Sequence, residues 1–307
     1  SDMSLEILEK TFLENYINVN LSSPLEDEMK HHELTWKTHD GLDIFGQVWE
    51  PTASQPKAVI CLMHGLGEHS SRYAHVAEAF VKAGYALFAS DLRGHGRSGG
   101  ARGHISSIED YIKDLDVLIE QARTRYAGLP IFLYGHSLGG IQVLYYGLLR
   151  KPKVKGVVAT SSGLHTALEK QKMKVGIAKI LGTIMPGVSL ASGLDPKSIS
   201  RDEKVVQAYI NDPLVHNKVS LGFGKIILGV NKWILEHAGD FSLPLLLLHG
   251  RNDRLAFPSS SIEFAASLKE KCTLVLWEDA THELHNEPEQ AEVFKTIILW
   301  MDARLRE

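Results

Sequence analysis

Two cysteines, Cys61 and Cys272, are all that the 307 residues contain. So few give no disulfide framework, and both lie in apolar runs that read as buried strands. They are expected to be reduced core residues, which suits a reducing compartment. Basic tracts are missing too. Lys and Arg number 33 against 37 Asp and Glu, a net charge of −4, which argues against a nucleic-acid partner. No apolar run approaches the roughly 20 residues that span a bilayer, and no basic-then-apolar secretory segment opens the sequence. The expectation is a cytoplasmic protein. No phosphate-cradling loop ends in Gly-Lys-Ser or Gly-Lys-Thr. In Thr281-His282-Glu283-Leu284-His285 the histidines stand three apart, one short of the spacing that places two zinc ligands on a helix face. No metal and no cofactor is expected.

What remains is a chain that is 44% hydrophobic and 23% charged, enough for one large core carrying an insertion. Leu5 to about Tyr16 has helical spacing, and Ser22 to Lys30 reads as a polar linker, so residues 1–30 form an N-terminal extension. Leu34–Trp36 and Ile44–Trp49 flank the turn dipeptide Asp40-Gly41 and predict an antiparallel hairpin. Apolar strand-like runs then alternate with helical periods. Strands are expected at Val59–Met63, Tyr85–Ser90, Val154–Thr160, Leu245–His249 and Thr273–Trp277, with a further one in the apolar run that begins at Ile131 and ends in the Gly135-His136-Ser137 turn. Helices are expected at Tyr73–Lys82, Ile108–Tyr126 and around Val293–Met301, the last with Pro288 near its start. Ser107 and Asp110 can cap the second of these. Such alternation predicts a mostly parallel sheet of about eight strands with helices on both faces. The rhythm breaks over 161–240, a largely helical, apolar stretch with Lys170, Lys172, Lys174 and Lys179 interleaved. It is expected to leave the sheet as a cap, dividing the core into 31–160 and 241–307.

The strand-like run from Ile131 ends in Gly135-His136-Ser137-Leu138-Gly139 and flows into a helix-like segment. A tight strand-to-helix turn of this kind lifts one serine hydroxyl clear of a sheet. A hydroxyl is a poor nucleophile at neutral pH, so Ser137 needs a base in reach and the base needs an orienting acid. Behind such an elbow the chain order is nucleophile, acid, base. Asp253 follows the Leu245–His249 run in a polar loop and is expected to be the acid, with Asp279 as competitor. His282 follows the last strand and is the expected base, with His285 as the near alternative. A developing oxyanion needs preorganised N–H donors. Leu138, directly after the nucleophile, supplies one, and Leu66 in the glycine-rich loop Met63-His64-Gly65-Leu66-Gly67 supplies the other.

Together these stretches resemble the monoacylglycerol lipase and lysophospholipase group of serine hydrolases, from about residue 32 to 303. The likeness is carried by His64-Gly65-Leu66-Gly67-Glu68-His69-Ser70-Ser71-Arg72-Tyr73, Asp91-Leu92-Arg93-Gly94-His95-Gly96-Arg97-Ser98 and the elbow Gly135–Gly140. It continues in Asn211-Asp212-Pro213-Leu214, Asp253-Arg254-Leu255 and Ala280-Thr281-His282. The resemblance implies an α/β-hydrolase fold and hydrolysis of one ester bond in a monoacylglycerol-like lipid, with Gly65 and His136 against the substrate. Lysophospholipids, short-chain esters and thioesters are the rival substrates on this scaffold, and a non-catalytic ligand receptor is the remoter alternative. An acyl chain needs a dry apolar wall, which Ile177, Ile180, Leu181, Ile184, Met185 and Val188 can supply. The interleaved lysines suit transient contact of the cap with a lipid surface.

Overall fold

A computed structural model describes residues 29–166, 172–268 and 271–307. The N-terminal helix expected over 5–16, nearly all of the linker after it, and Lys170 lie outside these residues. The hairpin forms as expected, with β1 (Met29–Lys37) and β2 (Asp43–Pro51) in antiparallel register, Trp36 opposite Ile44. Gly41 turns between them at φ +86°, a conformation that favours glycine. The chain then alternates through β3 (Ala58–Met63), α1 (Ala74–Lys82), β4 (Tyr85–Ser90), α2 (Ile108–Arg125), β5 (Ile131–His136), α3 (Leu138–Arg150) and β6 (Gly156–Thr160). Ser107 and Asp110 close a reciprocal capping box at the start of α2, satisfying N–H groups that the first turn leaves unpaired.

After β6 the chain leaves the sheet. It builds α4 (Lys172–Ile184), β7 (Ser189–Ala191), α5 (Glu203–Asn211), β8 (Lys218–Ser220) and α6 (Leu221–Glu236), and β7 and β8 pair as a small antiparallel ribbon. It returns through β9 (Leu245–Gly250), α7 (Ser259–Leu268), β10 (Cys272–Trp277) and α8 (Gln290–Leu305). The eight-stranded sheet runs β1-β2-β4-β3-β5-β6-β9-β10, antiparallel at β1–β2 and β2–β4 and parallel at the other five pairings.

Side-chain alternation divides the core into two layers. Val59, Cys61, Met63, Leu133, Val157 and Leu247 face α2, α3 and α6. Ala58, Ile60, Leu62, Phe132, Val158 and Leu248 face α1 and α8. The central strands are therefore apolar on both sides, which is why they read as continuous runs without a two-residue period. Cys61 is buried in β3, and desolvation pushes its thiol up to about 12. Cys272 departs from the expectation: it starts the edge strand β10 and is only partly covered. Among the described residues, no helix is long and apolar enough to cross a membrane.

Candidate active site

Parallel strands aim their C-terminal ends at one edge of the sheet, and the loops there carry the chemistry. At the end of β5, Ser137 sits at φ 54°, ψ −109°, strained for a residue with a side chain. The flanking glycines make the turn possible. A Cβ on Gly135 would stand 2.1 Å from the Gly139 carbonyl oxygen, and one on Gly139 would stand 2.0 Å from that of Met63. The Ser137 N–H donates to Thr160 O at 2.9 Å, tying the elbow to β6.

The loops after β9 and β10 bring two further groups to this serine. The Ser137 hydroxyl donates to His282 Nε2 at 3.0 Å, and His282 Nδ1–H donates to Asp253 Oδ2 at 2.7 Å. Asp253 Oδ1 accepts the N–H groups of Leu255 and Ala256 at 2.9 and 3.0 Å, which fixes the carboxylate plane. Burial alone would raise the Asp253 pKa, but the adjacent His282 and His249 outweigh it and hold the group well below the usual carboxylate range. Burial likewise works against charge on His282, and the Asp253 carboxylate overcomes it, so the imidazole titrates above its ordinary value. The chain thus brings together the expected nucleophile, acid and base. Asp279 is exposed, and the acid hydrogen-bonded to the base is Asp253. His285 lies in a short helical turn with its ring stacked on Tyr73 at 4.7 Å.

Beside the serine lies the loop after β3. A Cβ on Gly65 would be 3.4 Å from the Ser137 Cβ and 3.4 Å from His136 Cδ2, so this loop abuts the nucleophile. Among the described residues the N–H groups of Leu66 and Leu138 have no protein acceptor. Leu138 opens α3, where the first N–H groups of a helix lack intrahelical partners. Both donors are therefore free for an oxygen at this edge. His136 is fully buried, which pushes its pKa down to about 3, and its ring packs between those of His282 (4.9 Å) and His285 (4.8 Å). It sits against the base as a buried, neutral ring.

Several residues of the site have roles that the sequence reading did not assign. Glu68 Oε1 accepts the Gly65 N–H at 2.7 Å and the Tyr73 hydroxyl at 2.6 Å. Its other oxygen pairs with Arg72, whose guanidinium also holds both oxygens of Glu283 at 2.7 and 2.8 Å. The network spans 211 residues of sequence and ties the loop after β3 to the residue following the base. Glu68, His136 and Glu283 bring ligand-type atoms within 4.8 Å of one another, yet Arg72 already supplies the cation that the two carboxylates need. On the far side of the acid, His249 Nε2–H donates to Ala256 O at 2.9 Å and lies 3.2 Å from Asp253 Oδ2, while its Nδ1 accepts from Ser261. Replacing Arg72 by methionine leaves two buried carboxylates uncompensated. A loss of about 3–5 kcal/mol in urea unfolding is expected, together with slower turnover. An unchanged urea midpoint would remove this network from the supports of the site.

The residues expected to wall a dry acyl pocket are placed differently. Ile177, Ile180, Leu181 and Ile184 on α4 are 37–71% exposed, and Met185 and Val188 beyond it are exposed as well. α4 packs closely against α6 at Gly182, where a Cβ would meet the Leu221 carbonyl oxygen at 2.6 Å. The bulky stripe is left outward as an open apolar face.

The geometry agrees with what similar proteins show. Residues 54–289 match the family described as serine aminopeptidase, S33. An uncharacterized abhydrolase domain-containing protein of Dictyostelium discoideum is 38% identical over 263 residues, 84% of this chain but 28% of that longer protein. A monoacylglycerol lipase of Mycolicibacterium smegmatis is 35% identical over 269 residues, covering 86% of this chain and 95% of its own length. The crystal structure of a Paleococcus ferrophilus monoacylglycerol lipase superposes with a TM-score of 0.76 at 34% identity, covering 90% of this chain and 99% of that one. With the strand order, the elbow and the Ser-His-Asp geometry in place, the chain belongs to the serine aminopeptidase S33 family of the α/β-hydrolase superfamily, in its monoacylglycerol lipase group.

Proposed function

We propose that this chain hydrolyses the ester of a monoacylglycerol-like lipid through an acyl-enzyme on Ser137. The observation that carries the reading is the unbroken relay from Ser137 Oγ to His282 (3.0 Å) and on to Asp253 (2.7 Å). His282 takes the hydroxyl proton as Oγ attacks the ester carbonyl. Asp253 holds the tautomer and stabilises the imidazolium that forms. The N–H groups of Leu66 and Leu138 receive the oxyanion. The alcohol leaves with the proton from His282, and water repeats the sequence to release the fatty acid. Segment 161–240 acts in this reading as a cap over the catalytic edge. Hydrolysis rates across monoacylglycerols, diacylglycerols, lysophospholipids and short aryl esters test the substrate class. The expected maximum is at monoacylglycerols, and a maximum at lysophospholipids would reassign the leaving group.

The cap also offers a route to a lipid surface. Ile180 and Ile184, 63% and 71% exposed, lie one helical turn apart on α4, with Lys179 beside them. An amphipathic helix of this kind rests in a membrane interface with its apolar face buried. Vesicles of zwitterionic and anionic lipid are expected to co-sediment the protein, and Ile180→Asp with Ile184→Asp to abolish this. Equal sedimentation of the double variant would eliminate membrane contact through α4.

A further inference from the structure

We infer that a second lipid site lies on the side of α6 turned away from Ser137, where a groove of about 620 Å³ takes a single long-chain fatty carboxylate. The volume falls within the ~300–1,000 Å³ of small-molecule sites. Gly222, Lys225, Ile226, Gly229, Val230 and Trp233 line one wall, and their spacing places them on a single face of α6. The loop before α2 with Ile108 at its end, Tyr145 of α3, Gly182 and Thr183 of α4 and Pro186 after it form the rest. None of the lining residues belongs to the relay, the elbow or the loop after β3. Asn231 marks the other face of α6, where its Nδ2 donates to Gly163 O at 2.8 Å, beside the nucleophile. Tyr145 stands eight residues beyond Ser137 along α3, roughly 12 Å away at 1.5 Å per residue.

The groove is elongated and kept open. From Gly222 to Trp233 is eleven helical steps, roughly 16 Å, a shape for a chain and not for a compact head group. Glycine is unfavourable inside a helix, yet Gly229 sits in α6, where a Cβ would meet nothing within 4 Å. Ile108, Tyr145, Ile226, Val230 and Trp233 give the groove an apolar floor. Its charge has one sign. Among the described residues the lining contains Lys225 and no Asp or Glu. Lys225 is exposed, and its Nζ donates to the Thr183 hydroxyl at 2.7 Å, with no carboxylate partner among the described residues. A carboxylate fits beside that ammonium with its chain laid toward Trp233. A neutral lipid forgoes the ion pair that this ammonium offers, and a second acyl chain exceeds a groove one helix face wide.

The assignment requires no turnover and stands apart from the ester reading. The test uses the full chain with palmitate labelled with ¹³C at the carboxyl, both as the Ser137→Ala variant and as the wild-type protein blocked by a serine-reactive alkylphosphonate. Palmitate is expected to bind both forms, and more tightly than hexadecanol. Gly229→Leu, which fills the groove, is expected to weaken binding at least tenfold. Lys225→Gln is expected to weaken it about fivefold and to remove the preference over hexadecanol. Neither variant is expected to change hydrolysis of a short aryl ester. The site is overturned if the phosphonate abolishes palmitate binding, if Gly229→Leu leaves it unchanged, or if hexadecanol binds the unsubstituted groove equally well. Failure of the phosphonate to label Ser137 counts against the ester reading alone, and the groove is then decided by Gly229→Leu in the Ser137→Ala background.

Discussion

Ser137→Ala is expected to lower turnover of a monoacylglycerol by about 10⁶-fold, the scale seen when a hydrolase nucleophile is removed from an otherwise intact relay. The remaining machinery, free N–H donors beside a neutral imidazole, retains a weak activity over water. Circular dichroism and urea unfolding should show the variant folded, because the lost hydroxyl contributes one hydrogen bond at the surface of the sheet edge. Ser137→Gly separates chemistry from strain. The serine stands at φ 54°, and glycine occupies such a conformation without the penalty of about 1–3 kcal/mol that a side chain carries there. The glycine variant should therefore be as inactive as the alanine variant and more resistant to urea than either alanine or serine. Substantial hydrolysis by Ser137→Ala would falsify the nucleophile assignment. A glycine variant less stable than wild type would show that the elbow stores no strain.

Asp253→Asn is expected to cost about 10⁴-fold in kcat, because a neutral amide no longer selects the tautomer of His282 or stabilises its charged form. The pH dependence gives a second readout. Burial disfavours the imidazolium, and the Asp253 carboxylate reverses this, so His282 titrates above its ordinary value of 6.5. The base must be neutral to accept the serine proton. In the wild-type protein kcat/KM should therefore fall on the acid side with an inflection above 6.5. In Asp253→Asn the largest charge opposing burial is gone and only Glu283 and Glu68 still favour the imidazolium, so the inflection should move to lower pH as the rate drops. An unmoved acid limb would assign that limb to another group. The same linkage has a sign for stability. A raised histidine stabilises the fold below its unfolded value, and the contribution fades as pH rises through the folded value. Opening the acidic side for catalysis and holding the fold together there are thus opposed at His282.

The contrast between what could and could not be read from the chain follows from the range of each interaction. Ser137, Asp253 and His282 each follow an apolar run at a strand end, so one-dimensional pattern locates them. The strands before Asp253 and His282 each differ from expectation by one residue. Arg72 binds Glu283 across 211 residues, and no local period encodes such a pairing. His249 reads as the last residue of a strand, and its contact with the acid appears only when the following loop folds back. The stripe at 177, 180, 181 and 184 shows why helical spacing misleads about a wall: it reveals that one face is apolar, while the partner of that face is decided by tertiary packing. Here Gly182 and its neighbours take the contact with α6, and the bulky residues point outward.

Strands β6 and β9 are adjacent and parallel, with Val157 opposite Leu245 and Thr160 opposite Leu248, although residues 161–244 intervene. Closing a long excursion is only slightly less favourable than closing a short one, since the entropy loss grows with the logarithm of length. The chain can thus leave and rejoin the sheet at little entropic cost, and α6 within the excursion packs back on the core through Phe223, Val230 and Ile234. Grafting the corresponding stretch of another hydrolase in place of residues 172–220, which keeps α6 and its core contacts, should exchange lipid preference while leaving the attack geometry of Ser137 in place.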